Sequence, residues 1–307
     1  MSAIGLGLAA LGRPGYLNLG HGADLGVDRS VAALERRCHE VLDAAYETGV
    51  PHFDAARSYG RAEEFLASWL RARGVEPGVV TVSSKWGYTY TAGWQVDADP
   101  PEVKDLSVAT FRRQLAETQE WLGPWLSLYQ IHSATVSSGV LDDNAVLDEF
   151  ARLRSTGVAV GLTVTGTDQS ETIELALERA AFDSVQATYN LLERSAGPAL
   201  ERAHAAGLRV MVKEAVANGR LAPRGGCVPL EAVAERLGVT SDAVAIAAVL
   251  SRPWVDVVLS GAATPDQLRS NLRALEVRWS PELDDELAGL AEPSESYWST
   301  RSGLSWS

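Results

Sequence analysis

The sequence predicts a closed (β/α)₈ TIM barrel, folded as one domain over residues 1–307. Three observations lead there. Strand-like and helix-like segments alternate from end to end, which implies parallel pairing with helices outside. Eight such pairs fit into about 275 residues, the usual size of this barrel. No Pro/Ser-rich linker, repeat or low-complexity stretch divides the chain. A doubly wound open sheet is the competing architecture.

Residues 4–8 form a short apolar strand with glycines. Residues 31–48 are helical, with Leu34, Cys38, Val41, Leu42 and Ala45 at helical spacing, and Gly49 stops the helix. A strand end at 52–54 precedes a helix at 62–73 closed by Gly74. The third pair is a strand at 79–85 and a helix at 107–122 with Ser107 as N-cap. The fourth is 126–132 with 144–155, stopped by Gly157. Strands at 158–164 and 184–188 precede helices at 169–180 and 198–206. A strand at 208–213 leads to two helices in series, 230–237 and 241–250. The last pair is 255–260 with 265–275.

Four chemically active side chains end or follow these strands: Asp54, Tyr59, Lys85 and His132. In a parallel barrel the carboxyl ends of the strands converge on one face, where active sites are built. An acid, a phenol, an amine and an imidazole gathered there make a proton-transfer site. Strand alternation puts Lys85 on one face with Ser83 and Thr81, His132 with Gln130, and Asp54 with His52. Val80, Val82, Tyr129 and Ile131 then face the helices. Lys85, Lys104 and Lys213 are the only lysines among 27 Lys plus Arg residues, and two of them end strands. A surviving amine there fits a role that Arg cannot fill, since Arg keeps its proton. The bland alternative is a structural Asp–Lys pair with a buried Tyr and a satisfied His.

Residues 86–105 show little regular pattern and carry Trp86, Tyr88, Tyr90 and Trp94 directly after Lys85. Long loops at the catalytic face usually bind. Trp86, Tyr88 and Trp94 are therefore candidate walls of a substrate pocket, or else a small satellite core. The tail, about 292–307, is aromatic without a helix pattern and is placed over the same mouth. Arg57 is either a contact for an acidic substrate group or a loop charge.

The formal charge of −13 argues against a nucleic-acid partner, which needs a basic surface. Cys38 and Cys227, the only cysteines, form neither a metal-ligand pattern nor a disulfide framework, so no metal is expected and a reducing cytoplasm fits. No secretory signal is visible, and no apolar run reaches the roughly 20 residues that span a bilayer. Gly5-Leu6-Gly7-Leu8-Ala9-Ala10 matches a loose dinucleotide fingerprint, but Gly12-Arg13-Pro14-Gly15 breaks the helix that should follow. No G-x-S-x-G elbow and no Walker sequence occur.

The chain resembles the aldo-keto reductases over nearly its whole length. The resemblance rests on Phe53-Asp54-Ala55-Ala56 with Tyr59-Gly60, on Lys85, and on Leu128-Tyr129-Gln130-Ile131-His132. Gln186, Tyr189-Asn190, and Gly261 with Thr264-Pro265-Asp266-Gln267 and Asn271 extend it. It implies reduction of a small or medium aldehyde, ketone or sugar-like substrate with hydride from NADPH, with NAD as the alternative cofactor. The family tetrad falls on Asp54, Tyr59, Lys85 and His132. Tyr59 gives the proton, Lys85 lowers its pKa, Asp54 holds Lys85, and His132 aligns the carbonyl. The implied cofactor-binding residues are Thr163, Gln186, Lys213, Gly261, Thr264, Gln267 and Asn271.

Three positions depart from the family. Thr163 and Val164 stand where a Ser-Asn pair commonly holds the nicotinamide amide. Lys213 stands where an aromatic ring commonly stacks on the nicotinamide. The stretch Ser260-Gly261-Ala262-Ala263-Thr264 lacks the basic residue that many relatives set against the 2′-phosphate. Lys213 is read as a charge partner of Glu214 or of an anionic ligand, with a Schiff-base lysine as the rarer reading. The departures motivate two rival functions: a redox-neutral isomerase or dehydratase reusing the tetrad, and a non-catalytic binding or regulatory subunit. Oligomeric state stays open.

Overall fold

The structure is a computed structural model describing residues 3–306. Eight parallel strands close the barrel: β1 (Ala3–Gly7), β2 (His52–Asp54), β3 (Thr81–Trp86), β6 (Leu126–Ala134), β7 (Ala159–Val164), β8 (Ser184–Thr188), β9 (Arg209–Lys213) and β10 (Val257–Ser260). Neighbours run β1-β10-β9-β8-β7-β6-β3-β2 and back to β1. The remaining strands, β4 (Tyr88–Tyr90) and β5 (Glu102–Lys104), form an antiparallel hairpin outside the barrel.

The helices are α1 (His21–Leu25), α2 (Val31–Glu47), α3 (Ala62–Ala72), α4 (Val108–Leu122), α5 (Asn144–Ser155), α6 (Gln169–Arg179), α7 (Gly197–Ala205), α8 (Val228–Leu237), α9 (Ser241–Leu250), α10 (Pro265–Leu272), α11 (Pro281–Glu286) and α12 (Ser294–Ser302). Side-chain oxygens fix several starts. Ser30 accepts from the Ala33 amide at 3.3 Å, Ser107 from Thr110 at 3.3 Å, and Asp143 from Ala145 at 2.9 Å.

The core has two principal layers. Outward residues of the strands, among them Val82, Tyr129, Ile131 and Leu162, pack under the helices. Inside the barrel, Leu128, Met211, Val257 and Leu259 form a separate apolar plug. That plug makes the barrel a packed body, so polar chemistry is confined to the mouth above it.

Five elements escaped the sequence. The 86–105 segment contains the β4–β5 hairpin, and α1, α11 and α12 were not foreseen. The tail was expected without a helix; α12 forms there with Tyr297 as its one buried residue, so no apolar stripe announces it. The last predicted helix, 265–275, ends at Leu272 and continues as a single 3₁₀ turn, Arg273–Glu276.

Candidate active site

The register of the strands brings the four side chains to one level. Asp54 pairs with Ser83, and Lys85 with Gln130, across adjacent parallel strands. The Lys85 ammonium donates to the Asp54 carboxylate and to the Ala55 carbonyl at 2.9 Å. Lys85 is 1% exposed, so this is a buried ion pair. Asp54 also accepts from the Ser83 hydroxyl at 2.6 Å and from the Gln130 amide at 3.4 Å. Ser83 spends its proton on Asp54, so His52 Nε2, 2.8 Å away, donates to Ser83.

Tyr59 sits in the tight turn after β2. Its amide donates to Ala56 O at 3.1 Å, and Arg61 N donates to Gly12 O at 2.7 Å. A Cβ on Gly12 would lie 2.1 Å from Tyr59 O, so only glycine lets the loop after β1 press against this turn. The Lys85 ammonium lies 4.8 Å from the Tyr59 ring centroid, and the Arg13 guanidinium 5.4 Å. His132 stands edge-on to Tyr59, with ring centroids 5.5 Å apart. Its Nδ1 is 3.4 Å from the Ser58 hydroxyl.

The electrostatics correct one expectation. Burial pushes the Tyr59 phenol well above 10, and the Asp54 carboxylate adds to this, with Arg13 opposing. Lys85 was expected to lower this pKa, but the net direction is upward, because burial and the Asp54 carboxylate outweigh the nearby cations. Burial also holds the His132 imidazole well below its usual range, helped by Lys85, Lys213, Arg13 and Lys104. Both groups are therefore neutral near pH 7, one as an acid and one as an uncharged ring.

Asp54, Tyr59 and His132 line a cavity of about 540 Å³ at the barrel mouth. Of the other sequence candidates, Tyr88, Gln186, Lys213 and Gly261 also line it. Trp86 does not: it is fully buried beneath the helices, edge-on to Phe111 and Phe150 at 5.1 and 6.3 Å. It follows Lys85 in β3 and so points to the opposite face. Trp94 lies outside the cavity wall, donating to Arg29 O at 2.7 Å and packing on Phe65. Arg57 is tied to Glu63 and Glu117, which favours the loop-charge reading.

The cofactor candidates divide in the same way. Thr163 Oγ1 accepts from the Ser133 amide at 2.7 Å and is 1% exposed. Thr264 caps α10 by accepting from Gln267 N at 3.2 Å, and Gln267 accepts from Ala263 N at 2.9 Å. Asn271 accepts from the Ser260 hydroxyl at 2.7 Å and donates to Asp242 at 2.6 Å. These side chains hold the loop and helix start, while Leu259, Ser260 and Gly261 form that part of the wall.

Several wall residues were not singled out from the sequence. Arg13, 3% exposed, donates to Ser58 O at 2.9 Å and Glu102 at 3.0 Å beneath Trp306. Tyr16, Glu102, Arg301 and Trp306 complete that side. Glu214, at φ 58 just past β9, is clamped by Arg301 of α12. The aromatic tail and the breaker loop after β1 were the available signals, but a charge in a turn reads equally as a solvated one.

A closed parallel barrel with these groups at its carboxyl-end mouth defines a (β/α)₈ enzyme scaffold. The model of the Aldo/keto reductase family matches residues 4–292, and the chain belongs to that family of oxidoreductases. It is 26% identical to pyridoxal 4-dehydrogenase of Microbacterium luteolum, covering 89% of each chain. It is 20% identical to the uncharacterized oxidoreductase YqkF of Bacillus subtilis, covering 81% of this chain and 85% of that one. The aldo-keto reductase AKR11C1 of Bacillus halodurans, in its holo form, shares the fold with a TM-score of 0.69 at 21% identity, over 94% of this chain and 92% of that one.

Aldo-keto reductases use nicotinamide cofactors, and the cavity wall fits the amide end of one. The Gln186 Nε2 is buried without a hydrogen-bond partner, a donor suited to a carboxamide oxygen. At Gly261 the space a Cβ would enter is open. Lys213 offers no aromatic face. Arg269 is paired with Asp266, and Arg273 with Glu276.

Proposed function

We propose that the chain reduces a small or medium aldehyde, ketone or sugar-like compound, with Tyr59 as proton donor and NADPH or NADH as cofactor. One observation carries this: Tyr59, Asp54 and His132 share a cavity, and Lys85 is locked to Asp54 beside the Tyr59 ring. A bound nicotinamide cofactor supplies the hydride. Burial keeps the phenol protonated, so Tyr59 arrives with the proton that the developing alkoxide needs. With Ser58 donating to Nδ1, the neutral His132 ring presents Nε2–H to the carbonyl oxygen. The Lys85–Asp54 pair fixes the ammonium against Tyr59, where it stabilises the phenolate left after proton transfer. Gln186 receives the nicotinamide end, and the open space at Gly261 receives the phosphate-bearing end. Residues 260–264 carry no basic side chain for a 2′-phosphate, so NADPH and NADH are compared directly in the test. The relative named pyridoxal 4-dehydrogenase supports a small carbonyl compound as substrate class.

The test is titration with NADPH and NADH followed by tryptophan quenching, then cofactor consumption over a panel of aldehydes and ketones. Binding of either cofactor with carbonyl-dependent consumption is expected. No binding of either at about millimolar concentration would favour the redox-neutral reading, which the amine of Lys213 in place of an aromatic ring motivates.

A further inference from the structure

We propose that Lys213 makes the site discriminate between the two redox forms of its nicotinamide cofactor, favouring the neutral reduced ring over the cationic oxidised one. This rests on the carbonyl-reductase reading and concerns how that same site loads and clears its cofactor.

The strands place the amine in the cofactor's path. Gln186 and Thr188 lie two apart on β8 and so share one of its faces. Lys213 pairs with Thr188 across β8 and β9, and its Nζ donates to Thr188 Oγ1 at 3.0 Å. The amine thus stands one step along the strand from Gln186, about 7 Å toward the mouth. Both side chains line the cavity. The carboxamide takes the unpartnered Gln186 Nε2 at β8, and the phosphate-bearing end takes the open space at Gly261, just past β10. Strand β9 lies between β8 and β10, and Lys213 is its last residue. A cofactor reaching from Gln186 to Gly261 therefore passes over Lys213.

The lining as a whole is charge-balanced, with Arg13, Lys213 and Arg301 against Asp54, Glu102 and Glu214. The effect on the ring is local, because Coulomb energy falls with distance. Glu214 is turned toward α12: Arg301 Nε lies 3.0 and 2.9 Å from its two oxygens, and Nη2 2.6 Å from one. Lys213 Nζ stays 3.8 Å from Glu214, beyond hydrogen-bond reach. Hydride transfer turns the neutral ring into a pyridinium cation. An ammonium against that ring tolerates the reduced form and repels the oxidised one. An aromatic face in its place would do the opposite, since it attracts cations. Burial lowers the Lys213 amine to about 8, with Arg301 and Lys85 adding to this and Glu214 opposing. The amine is thus charged at pH 7, yet it can shed its proton when the pyridinium arrives. That escape limits the discrimination to about tenfold at pH 7. The same repulsion opposes hydride transfer on the protein, so the gain lies in uptake of reduced cofactor and release of oxidised product.

The test is calorimetry with NADH and NAD+, and with NADPH and NADP+, on wild type, Lys213→Met and Lys213→Arg. The ratio of the oxidised to the reduced Kd should fall about tenfold in Lys213→Met. Lys213→Arg cannot shed its proton and should keep the wild-type ratio or raise it. Lys213→Gln, polar but uncharged, takes the place of Lys213→Met if that variant does not fold, and the same fall is expected. A ratio that the neutral variants leave unchanged while cofactor still binds would overturn the proposal and leave the reductase reading standing. A ratio that rises in them would overturn it too, because the amine would then favour the oxidised ring. If no form of either cofactor binds the wild-type protein, the reductase reading fails and the proposal falls with it.

Discussion

At the scale of single residues, Tyr59 and the Lys85–Asp54 pair have separable jobs. In the proposed reduction the phenol is the proton donor, and its hydroxyl is all that Tyr59→Phe removes. We therefore expect Tyr59→Phe to lower kcat by about 10²–10⁴-fold while changing ligand affinity by no more than about twofold. Single-turnover rates with calorimetric binding check this; turnover at the wild-type level would take the acid role away from Tyr59. The ion pair instead holds the site together. Lys85→Met leaves Asp54 as a buried carboxylate without its cation, which costs roughly 3–5 kcal/mol of stability. Adding Asp54→Asn should recover part of that loss, because the stranded charge is gone. Urea denaturation of both single variants and the double would show the recovery, and strictly additive losses would mean the two groups are not coupled.

At the scale of elements, Trp86 shows how strand geometry decides a role. The alternation that turns Lys85 inward turns its successor outward, into the layer with Phe111 and Phe150. Trp86→Ala should therefore cost roughly 3–5 kcal/mol by leaving a cavity, with substrate KM nearly unchanged. A variant of normal stability that had lost substrate affinity would return Trp86 to the pocket wall. The same comparison shows what the sequence could convey. Residues 52–54, 144–155, 184–188 and 241–250 form the expected elements with the expected bounds, because turn, capping or breaker residues mark their ends. The placement of Asp54, Lys85 and His132 at the mouth was legible because each ends an apolar run. Arg13, Glu102 and Arg301 were not, because a loop, the β4–β5 hairpin and α12 bring them to the cavity from outside the barrel, and local pattern does not say where such a segment crosses. The Arg13–Glu102 contact spans 89 residues of sequence. Helix α12 was hidden for a related reason. Arg301–Glu214, Tyr297–Asn190 and Arg220–Glu292 dock the tail, and none of these leaves a periodic trace.

At the scale of the whole molecule, the buried histidines set the response to acid. Burial lowers His21 and His52 from 6.5 to about 4, with Asp24 and Asp54 pulling the other way. Unfolding releases both rings to water. Between about pH 6.5 and 4 the unfolded chain therefore binds protons that the folded chain refuses, so stability rises with pH there and is lost as pH falls. Each ring contributes a slope of up to roughly 1.4 kcal/mol per pH unit. Glu214 acts lower: burial raises its pKa, but Lys213 and Arg301 outweigh this and hold it at about 2, so its contribution is lost only as pH falls from 4.5 toward 2. The two histidines can be separated. His52 is bonded through Ser83 to Asp54, so replacing it disturbs the site. Both nitrogens of His21 are buried without a partner, and an apolar side chain there removes a desolvation cost. His21→Leu should be at least as stable as wild type near neutral pH and should lose about a third of the acid slope, because burial holds His132 down as well as His52. Urea midpoints measured across that pH range test this, and an unchanged slope would mean that protonation of His21 does not drive the loss of stability in acid.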